Sequence, residues 1–161
     1  MDSLEIERKF LLGSIPEVLL KKASSEEIRQ GYLIREDNRE LRIRQKGPAS
    51  YWMTLKQGSG LKRHEQECAI SKEQFSMLWP LTEQRRIEKT RYLIPWGSLN
   101  LEIDIFGGAL APLIILEIEF ADLAASRNFS VPAFAGREIT EDPAYKNATL
   151  AICGLPENFA V

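Results

Sequence analysis

The chain has 161 residues, 44% of them hydrophobic, and its 21 basic and 23 acidic side chains give a net charge of -2. This length and apolar content suit one domain with its own core, so residues 1–161 are treated as a single domain. The near balance of charge gives no general reason to bind nucleic acid or an anionic membrane, and we expect neither partner. With His64 as the single histidine, sites of several imidazoles and most Ser-His or Cys-His catalysis are excluded.

Several features predict a cytoplasmic protein. The charged segment 1–10 lacks the apolar stretch of a secretory signal, and the longest nearly apolar run, 109–116, is too short to span a bilayer. Cys68 and Cys153 lie far apart and match no paired metal-ligand spacing. We expect both to be reduced thiols and predict that both side chains are buried.

Alternation of apolar and charged residues dominates the chain. Four segments show this period of two, the pattern of strands with unlike faces: 4–7, 41–44, 101–105 and 116–120. Four more strands are predicted from their large apolar and β-branched residues, at 28–35, 51–56, 65–70 and 87–94. Turn residues separate the strands at 36–38, 46–48, 58–60 and 95–98. Short connections favour antiparallel neighbours.

Helices are fewer than strands. A capping-box pattern at Ser71 opens a short helix that ends before Pro80. Asp142 followed by proline, with a glycine further on, predicts a C-terminal helix at about 143–152. Two shorter helices are predicted at 15–23 and 121–127.

Charged residues recur two apart on the predicted strands, so the members of each set share a strand face. The sets are Glu5, Glu7 and Lys9; Arg42 and Arg44; Glu65 and Glu67; Lys89 and Arg91; Glu102 and Asp104; and Glu117 and Glu119. One such set alone is best explained as the solvent-exposed face of an ordinary sheet, with opposite charges paired across strands. Their repetition favours a barrel whose interior collects the charges. There, carboxylates would suit Mg²⁺ or Mn²⁺ and basic side chains would suit phosphate oxygens, as in a phosphoryl-transfer site.

The opening segment 5–10 resembles the ExExK signature of the triphosphate tunnel metalloenzymes, the CYTH superfamily. Further motifs follow in the family's order: Arg42-x-Arg44, Thr54-x-Lys56, Glu65-x-Glu67, Glu88-Lys89-Thr90-Arg91, Glu102-x-Asp104, Glu117-x-Glu119 and Tyr145-Lys146-Asn147. Within the family, the chain is most similar to small bacterial inorganic tripolyphosphatases. The resemblance implies an α+β, mainly antiparallel fold: an eight-stranded closed β-barrel, or tunnel, with a hydrophilic charged interior and a few outer helices.

The resemblance also implies roles for individual residues. Expected ligands of one or two Mg²⁺ or Mn²⁺ ions are Glu5, Glu7, Glu117, Glu119, Glu102 and Asp104. Expected triphosphate-binding residues are Lys9, Arg42, Arg44, Lys56, Lys89, Arg91 and Lys146. Residues expected to act in catalysis are Lys9, Lys89, Glu67 and Asp104. A solvated helix lysine is the alternative for Lys146, and Tyr32 is interpreted as a packing aromatic.

The function implied is metal-dependent hydrolysis of inorganic tripolyphosphate to phosphate and pyrophosphate. Thiamine triphosphatase, nucleoside triphosphatase and class IV adenylyl cyclase are alternatives within the superfamily, because the same tunnel hosts several chemistries. A non-catalytic polyphosphate-binding module is the contrasting class, and it is less favoured because the sequence keeps both the acidic and the basic sets. The expected partner is a small-molecule triphosphate, and outward apolar strand faces also suit a homodimer.

Overall fold

One antiparallel sheet of eight strands is the central element of the computed structural model, which describes residues 6–58 and 64–160. The strands are β1 (Ile6–Leu11), β2 (Ser24–Glu36), β3 (Arg39–Lys46), β4 (Ser50–Gln57), β5 (His64–Ala69), β6 (Arg86–Trp96), β7 (Leu99–Phe106) and β8 (Ile114–Phe120). Their spatial order is β1-β8-β7-β6-β2-β3-β4-β5, and the predicted eight-stranded antiparallel architecture is confirmed. Over 6–58 and 64–160, no hydrogen-bonded ladder joins β1 to β5, so strand pairing does not close the predicted ring there.

Most strands are longer than predicted: β1, for example, continues to Leu11 instead of ending at Glu7. β2 begins at Ser24, four residues before the expected start at Ile28. Pro95 and Trp96, expected in a turn, are the last residues of β6 and pair with Asn100 and Leu99. Only two residues remain for this turn, and Gly97 takes the positive φ of 62° that such short hairpin loops require.

The ladders place the predicted charged residues on one face of the sheet, called here the inner face. Residues directly opposite each other in a ladder share a face. Lys9 and Glu102 both lie opposite Glu117, and Arg91 lies opposite Asp104. On the same face, but in strands β3 to β5, Thr54 lies opposite both Arg42 and Glu67.

The outer face is apolar and is covered by the chain's own helices. Phe10, Ile103 and Ile118 are buried in a cluster that includes Leu19 of α1 (Glu17–Leu20) and Ala125 of α3 (Leu123–Asn128). A second cluster joins Ile43 and Tyr51 to Phe75 of α2 (Lys72–Leu78). The capping box predicted at Ser71 is present at the start of α2. These helices bury the outer strand faces from which a homodimer was expected.

One end of the inner face is apolar and packs against the C-terminal segment. Leu11, Ile87, Phe106 and Ile115 are buried together with Tyr145 and Leu150. The predicted helix at 143–152 is divided: a 3-10 turn spans Pro143–Tyr145, and α4 spans Asn147–Cys153. The break falls at Lys146, whose extended backbone (φ -67°, ψ 137°) cannot continue a helix.

Both cysteines are exposed, so the prediction that they are buried is wrong. Cys68 belongs to β5, in which every residue is exposed, and Cys153 is the last residue of α4. Neither position therefore reaches the core. None of the helices in the described ranges combines the length and apolarity needed to cross a membrane.

Candidate active site

Three carboxylates converge where β1 and β8 pair. One carboxylate oxygen from each of Glu7, Glu117 and Glu119 lies within 4.8 Å of the others. Burial, together with a hydrogen bond that the protonated Glu117 carboxyl donates to the neighbouring Glu7 carboxylate, raises the pKa of Glu117 to about 7. Hard divalent cations take oxygen ligands of this kind, and the carboxylates of such a cluster need a cation to offset their repulsion. The residues present therefore fit a divalent metal, whereas the predicted ligand Glu5 lies outside the described residues.

Lys9 lies beside this carboxylate cluster. Its Nζ is 2.9 Å from Glu7 Oε1 and 3.6 Å from Glu117 Oε2. Although burial lowers the pKa of Lys9, the Glu117 and Glu7 carboxylates raise it above the ordinary value, so the ammonium group stays charged at neutral pH. Lys9 thus places a positive charge next to the carboxylate cluster.

Asp104 holds two predicted substrate-binding cations. Its Oδ2 lies 2.6 Å from Lys89 Nζ and 2.9 Å from Arg91 Nη2, and Oδ1 lies 2.8 Å from Arg91 Nε. Arg91 also forms an ion pair with Glu102. Burial raises the pKa of Asp104, but the two cations outweigh it and bring the pKa to about 2. A carboxylate with so low a pKa is a weak proton acceptor at pH 7, so these contacts favour a role in holding the two cations.

Burial also lowers the pKa of Lys89, and Asp104 offsets part of that effect. The roles predicted for Asp104 as metal ligand and base, and for Glu102 as metal ligand, stay predictions.

Across the inner face, two arginines carry buried donors for which the described part of the chain supplies no acceptor. Arg42 Nε and Arg44 Nε are both buried, and neither has a hydrogen-bond partner among residues 6–58 and 64–160. Arg44 Nη2 lies 3.4 Å from Glu67 Oε2, to which the Thr54 hydroxyl also donates at 2.7 Å. Burial and then the neighbouring Arg42 lower the pKa of Arg44. A buried N–H without an acceptor costs free energy, which an anion placed between these guanidiniums would recover.

A cavity of about 490 Å³ brings five of the predicted site residues together. Its walls include Glu7, Lys9, Arg42, Lys56 and Lys146. Lys56 pairs with Glu65 at 3.0 Å in this wall region, and Lys146 is exposed on the turn before α4. The remaining described members of the predicted site lie on the inner face outside the cavity walls: Arg44, Glu67, Lys89, Arg91, Glu102, Asp104, Glu117 and Glu119.

Sequence reasoning missed part of the cavity wall. Arg35 and Arg39, on the hairpin between β2 and β3, line the cavity and pair with Glu40 at 3.0 Å and Glu36 at 2.6 Å. The only sequence signal for them was the density of charge around the 36–38 turn. Tyr32, interpreted as a packing aromatic, is fully buried and also lines the cavity.

Lys46 was also missed, although it continues the alternation of Arg42 and Arg44 by one more step. It lies opposite Ile28 in the ladder between β2 and β3. Burial and the nearby positive charge of Arg44 lower the pKa of Lys46. Lys46 is therefore a third cation of β3, close to Arg44. The period of two that identified Arg42 and Arg44 would have identified Lys46.

Comparison with known proteins assigns the fold and these motifs to a family. Residues 3–130 match the CYTH domain. The chain belongs to the CYTH family. This CYTH protein is 48% identical to an inorganic triphosphatase of Nitrosomonas europaea over 151 residues, which are 92% of this chain and 97% of the relative. It is 34% identical to an inorganic triphosphatase of Acetivibrio thermocellus over 147 residues, which are 91% and 92% of the two chains.

A solved structure agrees with this membership. The crystal structure of the inorganic triphosphatase NE1496 superposes on this CYTH protein with a TM-score of 0.76 at 43% identity, covering 93% of this chain and 95% of that one. The resemblance stated from the motifs is confirmed by these comparisons.

Proposed function

We propose that this CYTH protein hydrolyses inorganic triphosphate, releasing phosphate and pyrophosphate. The observation that carries the proposal is the presence, on one sheet face, of a carboxylate cluster and of two guanidiniums whose buried Nε donors have no acceptor among the described residues. A chain of phosphates suits both the guanidiniums and the carboxylate cluster. Its oxygens accept hydrogen bonds from guanidiniums and can bind a divalent cation together with carboxylates. Similarity to relatives named inorganic triphosphatases supports the same substrate.

A divalent cation is the proposed cofactor, as one or two Mg²⁺ or Mn²⁺ ions. Glu7, Glu117 and Glu119 would hold it, with Glu5 and Glu102 as further proposed ligands. When bound, such an ion offsets charge on phosphate oxygens and lowers the pKa of a water ligand.

The chain's own residues would hold and orient the substrate. Arg42 and Arg44 would donate to phosphate oxygens through the N–H groups that lack acceptors, and Lys56 would add a charge from the cavity wall. Lys89 and Arg91 enter the site already fixed by Asp104, so little side-chain entropy is lost when they bind an anion. Lys9, next to the carboxylate cluster, would stabilise negative charge at the phosphate nearest those carboxylates.

The character of the cavity wall favours inorganic triphosphate over a nucleotide. Among the described residues that line it, the aromatic ones are Tyr32 and Tyr145, and both are buried. A nucleotide base gains much of its binding energy by stacking on an accessible aromatic face. The wall offers charged side chains instead, which suits phosphate and disfavours the cyclase and nucleoside triphosphatase alternatives.

Phosphate release tests the proposal. Tripolyphosphate, pyrophosphate, ATP and thiamine triphosphate would each be incubated with Mg²⁺, Mn²⁺ or EDTA. We expect metal-dependent release that strongly prefers tripolyphosphate and is lost in Glu7→Gln and Lys9→Ala. The matched controls are Glu83→Gln and Lys72→Ala, which change exposed residues away from the inner face and should retain activity. Preference for ATP would support a nucleotide enzyme, and silence on all four substrates would support the binding module.

A cytoplasmic location and a homodimer stay predictions. The homodimer was predicted from exposed apolar strand faces, but the chain's own helices cover those faces. Light scattering of the purified chain measures its mass directly.

A further inference from the structure

The outer edge of β1 is covered by a short segment that follows the last helix of the CYTH match. Residues 136–140, called here the strap, run along β1 on the side away from β8. The Gly136 N–H donates to the Leu11 carbonyl at 2.8 Å, and the Leu11 N–H donates to the Arg137 carbonyl at 2.9 Å. The strap thus satisfies backbone groups that a strand at the edge of a sheet leaves unpaired.

The strap's contacts with Lys9 use a side chain in place of a backbone carbonyl. The Ile139 N–H donates to the Lys9 carbonyl at 2.8 Å. The Lys9 N–H donates to the Thr140 hydroxyl oxygen at 3.0 Å. Both backbone groups of Lys9 are therefore held by two consecutive strap residues, and the second contact depends on the residue type at position 140.

The Thr140 hydroxyl is itself fixed in orientation. It donates to Glu138 Oε1 at 2.8 Å, so its lone pairs are free to accept from Lys9. Glu138 is in turn held by Arg8, which donates to both carboxylate oxygens at 2.8 and 2.9 Å. A continuous set of hydrogen bonds therefore joins Arg8 on the outer face, Glu138, Thr140 and the backbone of Lys9.

We propose that Thr140 is a positioning residue for the active site: its hydroxyl fixes the backbone of Lys9 and, through β1, the carboxylate of Glu7. This inference rests on the proposed triphosphatase function. The strap supplies rigidity where the sheet lacks a ladder to β5 in the described ranges, at the strand that carries two predicted site residues. A displacement of about 1 Å at a reacting group can cost about 100-fold in rate, so a loosened β1 edge would impair turnover.

Close approach of the strap also depends on Gly136. A Cβ added at Gly136 would lie 2.7 Å from the Leu11 carbonyl oxygen, closer than side-chain carbons come to backbone oxygens. Gly136→Ala would push the strap away from β1 without changing Thr140. The two sites therefore test the same contact by independent means.

The first test is amide hydrogen exchange of Lys9 in the full chain without metal or substrate. We expect slow exchange in the wild type and exchange about tenfold faster in Thr140→Val, because the acceptor of the Lys9 N–H is removed. Thr140→Ser should restore slow exchange, and Gly136→Ala should accelerate it. The control is Thr149→Val on α4, which should leave Lys9 unchanged. Fast exchange in the wild type, or equal rates in the Val and Ser variants, would overturn the proposal.

The second test is kinetic. In Thr140→Val we expect kcat for tripolyphosphate to fall about tenfold and the Mg²⁺ concentration for half-maximal activity to rise, with both restored in Thr140→Ser. A loss of melting temperature with unchanged kcat and Mg²⁺ requirement would show a structural role only and overturn the positioning role. If the wild type releases no phosphate from tripolyphosphate, the proposed function fails, whereas amide exchange still decides whether Thr140 holds Lys9.

Discussion

Lys89 and Asp104 form an ion pair with 2.6 Å between Nζ and Oδ2, and both side chains are almost completely buried, at 2% and 4% exposure. The pair lies on the inner face between the apolar end and the carboxylate cluster, and Arg91 reaches the same carboxylate. Two cations of the proposed phosphate-binding site are therefore held by one acid. Loss of that acid would leave a buried ammonium group without its partner.

Asp104→Asn should destabilise the protein by about 3–5 kcal/mol, because breaking a buried ion pair leaves an uncompensated charge. Urea denaturation in EDTA measures the loss in the free energy of unfolding. The control is Glu65→Gln, which removes a more exposed pair with Lys56 and should cost at most about 1 kcal/mol. Equal losses in the two variants would contradict the assignment of Asp104 as the main structural anchor of Lys89.

The same carboxylate predicts an acid dependence of stability. The pKa of Asp104 is lowered from its ordinary value of 3.8 to about 2. Because the folded pKa lies below the unfolded one, the contribution, roughly 2 kcal/mol, is complete above about pH 4 and is lost as the pH falls towards 2. Denaturation of the wild type and Asp104→Asn at pH 7, 4 and 2.5 should show a difference that shrinks with acidity. A difference that stays constant would contradict the lowered pKa.

Glu7→Gln should reduce metal binding while keeping the fold. The change removes one of three clustered carboxylates and preserves side-chain shape. We expect added MnCl₂ to raise the melting temperature of the wild type, as a ligand of the folded state does, and to have much less effect on the variant. Glu83→Gln, at an exposed position, is the matched control. An undiminished Mn²⁺ effect in Glu7→Gln would remove Glu7 from the ligand set.

Arg44→Lys should raise KM for tripolyphosphate about tenfold although it keeps the positive charge. A lysine lacks the buried Nε donor of Arg44, which has no partner in the part of the chain that the structure describes, and it cannot bind two phosphate oxygens in a fork. Arg85→Lys, at an exposed position, should leave KM unchanged. Initial-rate kinetics on the two variants makes the comparison. An unchanged KM in Arg44→Lys would indicate that charge alone matters at this position.

The strands were predictable because one face had to be apolar and the other charged. Alternation places Ile103 under the helices and Glu102 on the inner face whatever the register between strands. Register itself was not readable from the sequence. The contact of Arg91 with Asp104 depends on which residues of β6 and β7 lie opposite each other, so Asp104 was grouped with the metal ligands by motif alone.

The strap could not be predicted, for a different reason. Residues 136–140 show neither the period of two of a strand nor the period of 3.6 of a helix. Their hydrogen bonds to β1 join positions about 130 apart in the chain. The sequence around Gly136 and Thr140 is that of an ordinary loop, and their roles depend on contacts with β1 that the sequence does not reveal. The break before α4 was missed similarly, since the capping signals at Asp142 are real but serve the 3-10 turn at Pro143–Tyr145.

The two edges of the sheet are protected in different ways, and this bears on how the protein behaves when concentrated. The strap occupies the hydrogen-bonding groups of β1, whereas in the described ranges β5 pairs with β4 alone. β5 is a short strand that carries Glu65 and Glu67, and a second copy added edge to edge would bring like charges together. Within residues 6–58 and 64–160, pairing with the strap protects one edge and charge repulsion protects the other, so each edge disfavours the addition of a strand from a second copy.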